Sequence, residues 1–252
     1  MQTFSVKNKV ALVTGASRGL GQAIAVGLAE AGAVVICSSS REGGTDATLA
    51  LIREKGGTAY GLAADLSQRG EIQDLYHQAV AKAGPIDILV NNGGTIARHP
   101  ATDFPQEAWD RVLEVNLSAA FFLSQLVGKS MIERQQGKII NIASMLSYSG
   151  GITVPAYTAS KHGIAGITKA LANEWAAHNI QINAIAPGYM RTDNTQALQD
   201  NPERNQAITA RIPAGKWGLP EDMVGPVLFL ASEASNYVNG TILNVDGGWM
   251  AR

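Results

Sequence analysis

The chain has 252 residues, 46% of them hydrophobic and 16% charged, with a formal net charge of −1. That balance supplies a packed core and gives no general electrostatic attraction to nucleic acid or an anionic membrane, so a charged ligand has to be held by a few local groups. The single cysteine, Cys37, excludes an intramolecular disulfide and points to a reducing compartment. The first residues lack the apolar stretch of a signal peptide. No apolar run approaches the ~20 residues of a membrane span. A cytoplasmic location, without membrane or nucleic-acid partners, is expected.

In chain order, the runs Val10–Val13, Val34–Cys37, Thr58–Leu62, Ile86–Val90, Lys138–Ile142, Ile180–Ile185 and Thr241–Val245 predict strands, most of them flanked by Gly, Asn, Asp or Pro. Helix-length segments lie between them, near 20–31, 45–55, 68–83, 106–134, 156–178 and 221–231. In the first, Ile24, Leu28 and Ala31 recur at helical spacing. Pro220 followed by Glu221 and Asp222 suits a helix start. Strands alternating with helices predict one α/β domain over residues 1–252, a seven-stranded parallel sheet with helices on both faces. About 188–219 shows no clear element, and a loop that long in a compact domain is a candidate substrate lid.

The first predicted strand runs into Thr14-Gly15-Ala16-Ser17-Arg18-Gly19-Leu20-Gly21 and then the first helix. Glycines let the backbone approach a pyrophosphate, and the helix start presents free N–H groups to it. The spacing is Gly-x-x-x-Gly-x-Gly, not the commoner Gly-x-Gly-x-x-Gly, and an ordinary strand-to-helix turn is the competing reading. Further on, Tyr157 and Lys161 are four residues apart and share a face if helical. A nearby ammonium lowers a phenol's pKa toward working pH, as a general acid/base requires.

Taken together these segments resemble the short-chain dehydrogenase/reductase family. The matching stretches follow the family's order: Thr14–Gly21, Asp65-Leu66, Asn91-Asn92-Gly93-Gly94, Asn116, Ser144, Tyr157 with Lys161, and Pro187-Gly188 with Thr192. The resemblance implies a Rossmann fold and an oxidoreductase that moves hydride between NAD(P) and a carbonyl/alcohol pair. Tyr157 would be the acid/base, Ser144 the group bonded to the substrate oxygen, and Lys161 the holder of the nicotinamide ribose. Asn116 would position a water leading to Lys161. Gly15, Ser17, Arg18, Gly19, Leu20 and Gly21 would cradle the dinucleotide, with Asp65 and Leu66 near adenine. Asn92, Gly93, Pro187, Gly188 and Thr192 would line the path to the nicotinamide. Gly93 departs from the family's Asn-Asn-Ala-Gly, which predicts looser packing there.

NAD-specific relatives place an acid at the end of the second strand, whereas here the stretch reads Ser38-Ser39-Ser40-Arg41. Ser39, Ser40, Arg41 and Arg18 therefore favour NADP(H), with NAD(H) open. The second half is similar to sugar-acid members of the family. A sugar acid needs a cation for its carboxylate, and Arg98 follows the fourth predicted strand at the ligand-binding edge. Met145, Ser147, Tyr189 and Trp217 are further pocket candidates. The four histidines show no metal-ligand spacing, so no metal is indicated. Cys37, in an apolar run, reads as a small buried hydrophobe. A 3-oxoacyl thioester reductase and a dinucleotide-binding sensor without turnover are the competing functions, and the intact Ser144, Tyr157 and Lys161 set disfavours the second. The resemblance also implies a homotetramer, with the Trp249–Arg252 end reaching a neighbouring subunit.

Overall fold

The computed structural model describes residues 2–252. Seven strands form one all-parallel sheet: β1 (Val10–Val13), β2 (Val34–Ser39), β3 (Thr58–Ala63), β4 (Ile88–Asn91), β5 (Gly137–Ile142), β6 (Ile180–Pro187) and β7 (Ile242–Val245). Their spatial order is β3-β2-β1-β4-β5-β6-β7, so the chain reverses its direction of travel across the sheet between β1 and β4. In an open α/β sheet the crevice beyond the strands' carboxyl ends at such a point is where ligands bind.

The helices are α1 (Gly19–Glu30), α2 (Asp46–Glu54), α3 (Arg69–Ala83), α4 (Gln106–Leu113), α5 (Ala119–Arg134), α6 (Pro155–Trp175), α7 (Gln196–Gln199), α8 (Pro202–Arg211) and α9 (Val224–Ala231). Along β1 the side chains alternate between the two faces. Ala11 and Val13 join a cluster with Ile24, Leu28, Val227 and Leu230 from α1 and α9. Leu12 joins Leu75, Leu123, Val127, Met131 and Trp175 from α3, α5 and α6. Burying a side chain of this size is worth about 1.5–3 kcal/mol, and the sheet is covered on both sides as its unbroken apolar strands require. Local signals set the helix ends. Pro155 opens α6 at its first turn, and Gly84, at φ +89°, closes α3.

One prediction is corrected. The 188–219 segment is not an element-free loop. It folds into α7 and α8, and an isolated bridge between Met190 and Gly218 ties its ends together. Its polar, mixed composition hides a short helix, yet Ile208, Ile212 and Trp217 bury into a small core of their own. The predicted helix at 106–134 is present as one continuous helical rod, Gln106–Arg134. Leu123, Val127 and Met131 of that rod pack into the sheet's core, which explains the apolar composition.

Candidate active site and dinucleotide cradle

The β1–α1 turn is built for close backbone approach. Gly15 sits at φ +63°, and a Cβ there would lie 2.8 Å from the Gly93 Cα. At Gly21 a Cβ would fall 2.4 Å from Asn92 Nδ2. Asn92 staples the turn to the end of β4, donating from Nδ2 to the carbonyls of Thr14 at 2.9 Å and Gly15 at 3.1 Å. Thr14 completes the staple, its Oγ1 accepting from the backbone N–H groups of Asn92 at 3.0 Å and Gly93 at 2.8 Å. Sequence reasoning missed Thr14, because a threonine after a strand carries no signal until its partner strand is known. Leu20 turns its side chain into the core beneath.

Ser17, Arg18, Ser39, Ser40, Arg41 and Gly44 line one pocket of about 340 Å³ beside this turn. All four of the residues expected to set the cofactor preference, Arg18, Ser39, Ser40 and Arg41, meet there beside Ser17. Gly44 is an addition. A Cβ on it would lie 2.4 Å from Ser39 Oγ, and that hydroxyl donates to the Arg41 carbonyl at 2.8 Å. The glycine cradle together with a cationic, hydroxyl-lined pocket fits a dinucleotide bearing an extra phosphate on its adenosine ribose. Asp65 lies beyond β3, and its Oδ1 accepts from Ser67 N at 3.0 Å and Oγ at 2.9 Å. Those bonds hold its carboxyl below the usual carboxylate value.

Gly93 does not leave the void that a missing methyl suggests. A Cβ there would meet Leu66 Cδ1 at 2.5 Å, so the leucine occupies most of the space. What is left is a cavity of about 10 Å³, lined by Gly93, Leu66, Thr14 and Asn91 among others, which is at the lower limit for one water.

Ser144 follows β5 and caps the turn Met145–Ser147, its Oγ accepting from Leu146 N at 3.1 Å. Tyr157 and Lys161 occupy consecutive turns of α6. Lys161 Nζ donates to the Ile142 carbonyl at 2.6 Å and lies 5.5 Å from the centre of the Tyr157 ring. Burial pushes Lys161 down to about 8. Burial also raises the Tyr157 phenol, while a Ser144 hydrogen bond and the Arg98 charge pull it back. A net lowering of that phenol by Lys161 is therefore not what the structure gives, because the half-buried ring loses more hydration than its neighbours restore.

Asn116 lies in a π-helical turn, Glu114–Ser118, between α4 and α5. Such turns cluster at functional sites. Its Oδ1 accepts from Thr95 N at 2.7 Å, and its Nδ2 donates to Thr95 O at 2.9 Å and Ser160 Oγ at 3.2 Å. The side chain thus fastens the loop after β4 to α6, and both amide protons are already used.

The substrate candidates separate. Arg98 is exposed, on the loop after β4, and its charge reaches the phenol. Met145 is buried beside Ser144. Ser147 does not face a ligand, since it is buried and its hydroxyl donates to the Lys161 carbonyl at 2.7 Å. Tyr189 packs against Trp217 and Trp249, with ring centres 5.2 and 4.8 Å away. Trp217 is buried in the arm, bonded through Nε1 to Asn205 Oδ1 and Thr209 Oγ1, both at 3.0 Å. It is part of that arm's small core, as its bulk and single N–H donor suit. Pro187 and Gly188 end β6, and Thr192 caps the next turn with its methyl near Gly19. The C-terminal Arg252 folds onto its own chain, donating to the Ala210 carbonyl at 3.1 Å at the end of α8.

Residues 9–203 match the family profile described as short chain dehydrogenase. The 2-dehydro-3-deoxy-D-gluconate 5-dehydrogenase of Bacillus subtilis is 53% identical over 249 residues, covering 99% of this chain and 97% of its own. The protein of the same name from Dickeya dadantii is 51% identical over 253 residues, covering 100% of this chain and 99% of its own. A crystal structure from Agrobacterium tumefaciens, provisionally assigned as a 2-deoxy-D-gluconate 3-dehydrogenase and holding NADP, superimposes with a TM-score of 0.94 at 52% identity, covering 100% of both chains. The profile over residues 9–203 and the relatives and solved neighbour over essentially the whole chain agree: the chain belongs to the short-chain dehydrogenase family of NAD(P)-dependent oxidoreductases.

Proposed function

We propose that the protein uses NADP(H) to interconvert a ketone and a secondary alcohol on a six-carbon sugar acid, in the manner of a 2-dehydro-3-deoxy-D-gluconate 5-dehydrogenase. The observation that carries this is the placing of Tyr157 and Lys161 on consecutive turns of α6, the ammonium 5.5 Å from the ring centre and fastened to the end of β5, the strand that leads into Ser144. The names of the Bacillus and Dickeya relatives support the substrate class. NADP in the Agrobacterium structure supports the cofactor, as does the cationic pocket around Arg18 and Arg41. NAD(H) is the second cofactor to test.

When bound, the nicotinamide supplies or takes up the hydride. Tyr157 gives a proton to the substrate oxygen in reduction and removes it in oxidation. Its raised pKa keeps the phenol protonated at neutral pH, which suits reduction. Leu146 N donates to Ser144 Oγ and so orients that hydroxyl, whose proton turns from the Tyr157 oxygen to the substrate oxygen as charge develops there. Arg98 pairs with the carboxylate and so fixes which carbon faces Tyr157. Met145 and Tyr189 shape the walls. Gly15, Ser17, Arg18, Gly19, the Leu20 backbone and Gly21 hold the pyrophosphate side, and Ser39, Ser40 and Arg41 the adenosine ribose. Asp65 and Leu66 flank adenine, and Asn92, Gly93, Pro187, Gly188 and Thr192 lead to the nicotinamide. Lys161 holds the nearer ribose, and Asn116 orders a water toward it. The 188–219 arm acts as the lid.

The enzyme is further proposed to be a cytoplasmic homotetramer, checked by sedimentation and cell fractionation. Activity is tested by following nicotinamide absorbance with NADPH and NADH against 2,5-diketo-3-deoxygluconate, 5-ketogluconate, a 4-deoxy-5-ketouronate and an acetoacetyl thioester. Turnover of a keto-deoxy sugar acid is expected to exceed that of the others. A preference for the thioester, or no turnover of any, refutes the assignment.

A further inference from the structure

Arg18 stands where two parts of the site meet. It lines the pocket formed with Ser17, Ser39, Ser40 and Arg41, and its Nε lies 3.3 Å from Asp193 Oδ2. Asp193 begins the helical turn just after Thr192, at the root of the 188–219 arm. Thr192 itself packs near Gly19, where a Cβ would come within 3.5 Å of its Cγ2. The arm and the phosphate-binding turn therefore touch through two successive residues, one contact apolar and one ionic.

A guanidinium binds phosphate best through two parallel N–H groups along one edge of its planar fork. Asp193 sits on Nε, so it takes one of those edges. Arg41, on the other side of the pocket, makes no ion pair among the described residues.

We propose that Asp193 competes with the ribose 2′-phosphate of the cofactor for Arg18, and so tunes the preference for NADP(H) over NAD(H). The proposal rests on reading this pocket as the 2′-phosphate site. A cofactor lacking that phosphate leaves the Arg18–Asp193 pair as it is. A cofactor carrying it has to draw Arg18 off Asp193 or share it with a second anion, and either weakens binding. The side chains are 69% and 70% exposed, so water screens the pair and the expected effect is only about two- to fivefold.

Calorimetric titration of the full-length protein with NADP+ and NAD+ tests this in wild type, Asp193→Asn, Asp193→Glu, Arg18→Ala and the Arg18→Ala/Asp193→Asn double variant. Asp193→Asn is expected to tighten NADP+ by about two- to fivefold and leave NAD+ unchanged. Asp193→Glu, which keeps the charge, stays near wild type. With Arg18 removed, Asp193→Asn no longer affects NADP+, as pairwise coupling requires. If Asp193→Asn weakens NADP+, the carboxylate orients Arg18 instead of competing for it, and the proposal is wrong. It is equally wrong if both cofactors respond alike or neither responds. If Arg18→Ala binds NADP+ as tightly as wild type, the 2′-phosphate reading of the pocket itself fails, whatever Asp193 does.

Discussion

Lys161 Nζ donates to the carbonyl of Ile142 at 2.6 Å, and Ile142 is the last residue of the strand that leads into Ser144. One hydrogen bond thereby fixes the ammonium on α6 against the end of β5. Ser147 adds a second tie from the same loop to the Lys161 carbonyl. Ser144, Tyr157 and Lys161 are held in register by these bonds, although they come from two separate elements.

This arrangement predicts a pH dependence. Lys161 titrates near 8, so its charge is present below that value and is lost as pH rises through it. Tyr157 is raised, so the phenol stays protonated across the same range. Reductive turnover is expected to be flat in mildly acidic to neutral buffer and to fall above about pH 8, while oxidation climbs with pH. Lys161 also carries a linkage term for the folded chain. Its folded pKa lies below the unfolded value, so its burial costs stability below about pH 8 and that cost is relieved as pH rises toward 10.5. Lys161→Met should lose activity, yet be relatively more stable than wild type at the acid end. Denaturation across pH checks the stability prediction.

Arg98→Ala should raise KM for the sugar acid by about 10- to 100-fold, the range expected when a charge-assisted carboxylate contact of ~1.5–3 kcal/mol is lost. It should also move the oxidation profile to higher pH, since a positive charge that lowers the phenol's pKa has gone. Arg98→Lys should recover the profile better than KM, because the charge returns without the planar fork. An unchanged KM in Arg98→Ala removes Arg98 from the substrate site.

Gly93→Ala puts a methyl 2.5 Å from Leu66 Cδ1. The leucine has to rotate away, and the variant should lose about 1–3 kcal/mol in denaturant unfolding. Leu66→Ala opens the space, so the double variant should be more stable than the sum of the two single changes predicts. Strict additivity shows that the two side chains do not compete.

Cys37 is buried in β2 and its thiol is pushed up to about 12 by desolvation. Iodoacetamide should leave the native protein unmodified at neutral pH and alkylate it only after unfolding. Mass spectrometry with and without denaturant reads the difference.

The alternation of β-rich runs with helical stretches made the sheet legible, because a two-faced parallel sheet needs near-continuous apolar strands such as Val10–Val13. Tyr157 and Lys161 were legible because their spacing is local to one helix. Contacts across the chain were not. The Asn92 staple on Thr14 and Gly15, the Thr95 clasp on Asn116, and the Arg18–Asp193 pair each join residues far apart in sequence, and no spacing rule marks them. Ser147 shows the reverse error. A serine three residues after Ser144 looks like a pocket group until its hydroxyl is seen bonded to a backbone carbonyl. The folded 188–219 arm was hidden because α8 is mostly polar, and Ile208, Ile212 and Trp217 form its buried core.

Tyr157→Phe removes one oxygen and keeps the ring beside Lys161. Single-turnover reduction of the best keto sugar acid, with cofactor affinity measured in parallel, should show a fall of about 10²- to 10⁴-fold in rate while NADPH still binds. A phenylalanine variant that reduces the substrate at the wild-type rate excludes Tyr157 as the proton carrier.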